Sequence, residues 1–246
     1  DFSGGFFLNN PTLSQAQFDT RNDSVYDFDE NLLAAYERLK PQNKQHNLII
    51  FHLMGQHVSY KLRSPANRKK WWAGDYKALR PDLSKRQRQV LADYDNAVLY
   101  NDSVVNQIIK RFENEDAIVI YVPDHGEECY EGNRGFICRN HSAVIDYDLA
   151  KYEFEIPFWI WCSHRYAVRH PDIYRAVVQA KNRRFMTDAL PHLLLYLAGI
   201  DSKHYQPANN LIAPEYNESR PRILKGQTDY DEVKKASKKI LPSIGG

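Results

Sequence analysis

Residues 117–128 read AIVIYVPDHGEE. The first six are apolar throughout and rich in β-branched side chains, and they do not alternate with polar ones. Such a run reads as a central strand of a layered α/β sheet, covered on both faces. Pro123 ends it, and a carboxylate and an imidazole, Asp124 and His125, then stand side by side where strand gives way to loop. Both can turn toward one cation, and Gly126 gives the backbone freedom to make that turn. Open α/β sheets gather ligands at the carboxyl ends of their strands, which is where this pair falls.

Working outward, residues 47–53 (NLIIFHL) and 156–162 (IPFWIWC) are two more compact apolar runs and are expected as further central strands. Between the first two runs, Val90, Leu91, Tyr94, Ala97, Val98, Val104, Val105, Ile108 and Phe112 keep a helical stripe, with Ser84 placed to cap it. Shorter helices are expected over 30–39, ending before Pro41, and over about 186–198, closing at Gly199. The strand and helix rhythm argues for an α/β fold with a mostly parallel sheet flanked by helices. Residues 54–83 and 123–155 are long connections without clear periodicity, both following expected strands. Residues 230–246, rich in lysine and closing on Gly-Gly, read as a basic, flexible tail.

The 246 residues are 43% hydrophobic, 26% charged and 13% aromatic, which suits one globular domain and excludes disordered, collagen-like and coiled-coil chains. The apolar stretch 193–200 is far short of the roughly 20 residues a membrane helix needs. A net charge of +2 makes no case for nucleic acid, yet residues 61–88 hold ten Lys or Arg against Asp75 and Asp82. With Tyr60, Trp71, Trp72 and Tyr76 interleaved, this basic island reads as a solvated loop or as a contact for a bilayer or a phosphorylated glycolipid. Among the histidines, His52 lies within an expected strand, while His57 and His141 lie in the two long loops, where imidazoles can donate to phosphoryl charge.

In chain order, FHLMGQH (51–57), YDNAVLYNDSVV (94–105), VIYVPDHGEE (119–128), a downstream histidine and IPFWIW (156–161) resemble the catalytic domain of bacterial phosphoethanolamine transferases. These belong to the alkaline phosphatase and sulfatase superfamily, and the resemblance covers about residues 1–200. It implies that residues 1–229 are the C-terminal part of one such domain, incomplete at its N-terminal side, with 230–246 as the tail. Asp124 and His125 become metal ligands, with zinc favoured over calcium or manganese, and His57 and His141 hold the substrate phosphate. His52 stands behind them. The implied reaction is transfer of phosphoethanolamine from phosphatidylethanolamine, through a threonine nucleophile, to lipid A or a related envelope glycan. The implied setting is the bacterial inner membrane, held by N-terminal helices, with the catalytic domain in the periplasm.

The chain departs from the family at Val58-Ser59-Tyr60, where Gly-Pro is usual, and at Arg63-Ser64-Pro65. Of Thr12, Thr20, Thr187 and Thr228, none follows the expected strand and helix entry, so the nucleophile and the remaining metal ligands are expected upstream of Asp1. The alternatives are a sulfatase or phosphodiesterase of the same superfamily and a non-catalytic binding module with its fold. The implied periplasmic setting, with a separation of nine positions, also leads to an expected disulfide between Cys129 and Cys138 that leaves Cys162 free.

Overall fold

Helices α1 (Glu30–Leu39) and α2 (Lys85–Phe112) form where apolar residues recur at helical spacing. At the start of α2 the Ser84 hydroxyl accepts the Gln87 amide at 3.2 Å, while Gln87 Oε1 accepts the Ser84 amide at 2.9 Å. This reciprocal pair satisfies backbone donors that the first turn would leave open. The computed structural model describes residues 28–39, 47–132, 134–140 and 144–240. They divide into two compact units: the residues up to Asp82 with Arg88–Val104, and Leu83–Gln87 with Val105 onward.

In the first unit Ala92, Ala97 and Val104 are fully buried along α2. Tyr60 meets Tyr94 edge to face at 5.1 Å, and Phe28 meets Tyr100 at 5.9 Å. The 54–83 connection is not a loose loop. It carries 3₁₀ turns at Tyr60–Leu62 and Ala66–Arg68 and is fastened to α2 by side chains. Asn96, completely buried, accepts the amides of Lys70 at 2.7 Å and Trp71 at 3.1 Å and donates to the Trp71 carbonyl at 2.8 Å. Lys69 pairs with Asp93 at 2.9 Å, the Ala73 amide donates to Gln89 at 3.2 Å, and the Tyr76 hydroxyl donates to Asp95. Residues 47–53, expected as a strand, are extended but join no ladder among the described residues, and Leu48 and Ile50 are about three-quarters exposed (73% and 75%). A strand exists only through a neighbour's hydrogen bonds, and an apolar run does not supply that neighbour.

The second unit begins with β1 (Ile118–Tyr121), followed by the hairpin β2 (Glu128–Cys129) and β3 (Ile137–Cys138) and by α3 (Tyr147–Glu153). Then come β4 (Trp159–Cys162), α4 (His164–Arg169), α5 (Pro171–Gln179), α6 (Leu190–Leu197), the hairpin β5 (Ile223–Leu224) and β6 (Thr228–Asp229), and α7 (Tyr230–Ile240). β1 and β4 run antiparallel with Ile120 opposite Ile160, and β2–β3 and β5–β6 are antiparallel as well. The sheet is expected from sequence to be mostly parallel, but every strand pair among the described residues is antiparallel. Ile120 and Ile160 pack on a core of Ala180, Leu193, Leu211 and Ile212, which seats α5 and α6 against the strands.

Two expectations are corrected. The β2–β3 register sets Cys129 opposite Ile137 and Cys138 opposite Glu128, so the two cysteines are not cross-strand partners, and none of the three cysteines is in a disulfide. The stretch expected as a flexible tail is, over Tyr230–Ile240, a helix packed on α3 through Tyr230 and Val233. Counting lysines hid this, because the anchors are acidic and aromatic. Asp231 accepts Arg222 Nη2 at 2.5 Å and also binds Arg184, while Glu155 accepts the Tyr230 hydroxyl and Lys234 at 3.4 Å.

The hydrogen bond from Arg222, with the positive charge of Arg184 nearby, holds the Asp231 carboxyl below its ordinary range. Stability from this group is therefore complete above the unfolded carboxylate value, near about 3.9, and is lost as pH falls through the lower folded value. Asp231→Asn is expected to lower urea stability at neutral pH, with the gap to wild type closing as pH drops below about 4. Urea titrations from pH 7 to 3 measure this, and a gap constant with pH would contradict the assignment.

Candidate metal centre and the turn that carries it

Asp124 and His125 stand at the carboxyl end of β1, where Pro123 stops the ladder. The Asp124 side chain is 85% exposed and that of His125 only 15%, and Asp124 Oδ2 lies 3.6 Å from His125 Nε2. The other ring nitrogen, Nδ1, is 2.7 Å from the Gly126 carbonyl oxygen. That oxygen can only accept, so Nδ1 carries a proton, and in the neutral imidazole the lone pair that can bind a metal is on Nε2, the nitrogen nearer the carboxylate. Two donors bonded to one zinc ion at about 2.0–2.1 Å stand roughly 3.3 Å apart in an ideal tetrahedron. The observed spacing is within a few tenths of an ångström of that, and a backbone acceptor on the far nitrogen is the usual support for a metal-binding imidazole. The donor set therefore fits zinc, with one carboxylate and one neutral imidazole. Among the described residues no third His, Cys, Asp or Glu joins them.

The turn is held by α3. The Gly126 amide donates to the Glu153 carbonyl at 2.9 Å, so close that a Cβ on residue 126 would lie 2.2 Å from the Tyr152 carbonyl oxygen. Glycine is required here for close approach, not for the turn freedom expected from sequence, since its φ is not in the left-handed region. The Glu153 side chain, 3% exposed, accepts the Asn140 amide at 2.7 Å. One residue thus ties the Asp124-His125 turn, through its carbonyl, to the segment leading to residue 141, through its carboxylate. Sequence reasoning missed Glu153. A carboxylate in the last turn of a helix opposes the helix dipole, and that misfit was the available signal. Beside it, Glu128 is buried and accepts Arg134 Nε at 2.9 Å, a bond that raises the Arg134 guanidinium above its ordinary value. A cleft of about 940 Å³ opens in this unit, lined among others by Asp124, His125, Arg139, Glu153, Trp159 and Trp161.

His57 belongs to the first unit, with an exposed side chain on a turn that is itself well fixed. Buried Asp29 accepts the amides of Met54 at 3.0 Å and Gly55 at 2.9 Å, and Arg63 donates to the carbonyls of His57 at 3.0 Å and Val58 at 3.2 Å. Asp29 and Arg63 were not singled out from sequence as supports of this turn. His52 is exposed on the extended segment, and His141 lies outside the described residues. Of the four candidate site residues, the structure brings Asp124 and His125 together.

A family model described as sulfatase matches residues 3–200. The chain belongs to the sulfatase family. Among curated members, phosphoethanolamine transferase EptC of Escherichia coli K12 is 32% identical over 220 residues, 87% of this chain and 37% of that protein. Kdo(2)-lipid A phosphoethanolamine 7''-transferase of the same strain is 30% identical over 151 residues, 61% of this chain and 25% of the relative. The crystal structure of the C-terminal periplasmic domain of EptC from Escherichia coli in complex with zinc superposes with a TM-score of 0.70 at 28% identity, covering 96% of this chain and 66% of that one. This sulfatase-family chain thus spans little more than a third of the length of the EptC it matches, and it has the alkaline phosphatase-like fold of that periplasmic domain. No described helix is long and apolar enough to cross a membrane.

Gly126→Ala is expected to destabilise the protein by about 1–3 kcal/mol through overpacking and to displace the Asp124-His125 turn from α3. Denaturant unfolding checks the first effect, and a crystal structure of the variant checks the second. Unchanged stability with the turn still in place would contradict the close-approach account.

Proposed function

We propose that this chain is catalytic machinery of a metal-dependent phosphoethanolamine transferase that acts in the periplasm, with phosphatidylethanolamine as donor and lipid A or a related envelope glycan as acceptor. The observation that carries the reading is the convergence of Asp124 Oδ2 and His125 Nε2 to 3.6 Å on the turn after β1, in a chain similar to a periplasmic transferase domain determined with zinc. Both units belong to one catalytic domain on this reading, which accords with a family match running through both.

Asp124 and His125 would hold zinc, and zinc bound there supplies positive charge that neutralises phosphoryl oxygens and favours the ionised form of a hydroxyl nucleophile. The protein's own part is positional. The Nδ1 proton held by the Gly126 carbonyl keeps His125 in one tautomer and one ring orientation. His57, on a turn fixed by Asp29 and Arg63, offers its imidazole to a phosphate oxygen, and His141 takes the same role from the other loop. Trp159 and Trp161 give the cleft apolar walls that exclude water from a group in transit. Phosphoryl transfer asks mainly for positioning and charge stabilisation, and these residues supply both. The reading assigns no nucleophile among the described residues.

The test uses the protein expressed from the open reading frame that encodes this chain, with a fluorescent phosphatidylethanolamine donor under single-turnover conditions. His57→Ala and His141→Ala are each expected to lower the rate about 10²–10³-fold while moving stability by about 0.5 kcal/mol or less. Asp124→Asn and His125→Ala are expected to remove both bound zinc and activity. Near-normal rates with collapsed thermal midpoints would make the two histidines structural, and release of phosphoethanolamine to water instead of an acceptor would make the protein a hydrolase.

A further inference from the structure

The basic island is an ordered surface that the proposed reaction does not employ. Its polar inward groups are spent on fixing it to α2: the amides of Lys70, Trp71 and Ala73, the Lys69 ammonium and the Tyr76 hydroxyl all bond to Gln89, Asp93, Asp95 or Asn96. Turns from the Lys77 amide to the Gly74 carbonyl at 3.1 Å and from the Arg80 amide to the Tyr76 carbonyl at 2.8 Å hold the stretch beyond. Side chains that do not face the helix are left on the outer surface. Among them are Lys61, Arg68, Lys70 and Lys77, all exposed, with Trp72 at 54% and Leu79 at 74% exposure. The remaining cations of the 60–82 segment are engaged: Lys69 by Asp93, Arg80 by Asp82, and Arg63 by the carbonyls of His57 and Val58. No described carboxylate pairs with the four outer cations.

We propose that this outer surface of the 60–82 segment docks on an anionic lipid bilayer, with Lys61, Arg68, Lys70 and Lys77 against lipid phosphates and Trp72 and Leu79 entering the headgroup zone. Three features favour a bilayer. The charge is predominantly positive, with four outer cations against exposed Asp75 and against Asp82, which Arg80 already pairs, and each basic group near an anionic surface adds about fivefold to partitioning. A large aromatic and a leucine stand exposed among those charges, and indole is favoured at the membrane interface. The platform is also ordered beforehand by its bonds to α2, so docking costs little ordering entropy. A nucleic acid would use the cations but gives Leu79 no role. The inference concerns where the protein sits and is independent of its reaction.

The whole chain is sedimented with vesicles of phosphatidylcholine alone or mixed with phosphatidylglycerol. Binding is expected only to the anionic vesicles and is expected to weaken as salt rises. Neutralising Lys61, Arg68, Lys70 and Lys77 to Gln together should lower the partition coefficient about 100-fold or more, while neutralising the exposed Lys151, Lys203, Lys235 and Lys238 should lower it by less than about tenfold. Brominated acyl chains should quench tryptophan emission, and the quenching should fall in Trp72→Tyr. Thermal melts should superimpose, since every substituted side chain is on the surface. Absence of binding, equal binding to neutral vesicles, equal losses in the two charge variants, or binding to an RNA duplex without binding to vesicles would each overturn the proposal.

Discussion

A backbone hydrogen bond of 2.9 Å from the Gly126 amide to the Glu153 carbonyl fixes the site, and it forms at a range where residue 126 can have no side chain. β1 delivers Asp124 and His125 to the end of a ladder, but a strand end alone leaves such a turn free to move. The last turn of α3 stops that motion. It in turn is held by a core of Ile145, Leu149 and Ala150 packed on Leu224 and Tyr230. The chain of dependence therefore runs from a hydrophobic cluster, through α7 and α3, to one imidazole held by its Nδ1 with its Nε2 beside a carboxylate.

A parallel logic governs the first unit. α2 is amphipathic in the ordinary way, with small buried residues on its inner side, but its polar residues are not all given to solvent. Asp93, Asp95, Asn96 and Gln89 reach the 60–82 segment and convert a charged stretch with no periodicity into an ordered surface. The same economy holds the His57 turn, where Asp29 and Arg63 bind backbone groups. Side chains that bond the main chain set its geometry without occupying the solvent-facing positions, and those positions stay available for ligands.

Much of this was legible in the sequence. The N-cap at Ser84, the helix over 30–39, the strand at 118–121 and the paired donors at 124 and 125 follow from local spacing, because each depends on residues a few positions apart. What was not legible depends on partners far along the chain. Glu153 reads as an ordinary helix residue until Gly126 and Asn140 are found beside it, and the lysines of 230–240 hide a helix that Tyr230 and Asp231 anchor. Residues 47–53 show the converse, since their composition announces a strand, yet they join no ladder among the described residues.

The central claim is that Asp124 and His125 are two donors to one zinc ion. Diffraction from zinc-soaked crystals of the chain, collected on both sides of the zinc absorption edge, tests it most directly. The account predicts an anomalous peak within bonding distance of both Asp124 Oδ2 and His125 Nε2, with His125 Nδ1 still on the Gly126 carbonyl. Zinc bound elsewhere while these two side chains face different surroundings would contradict it.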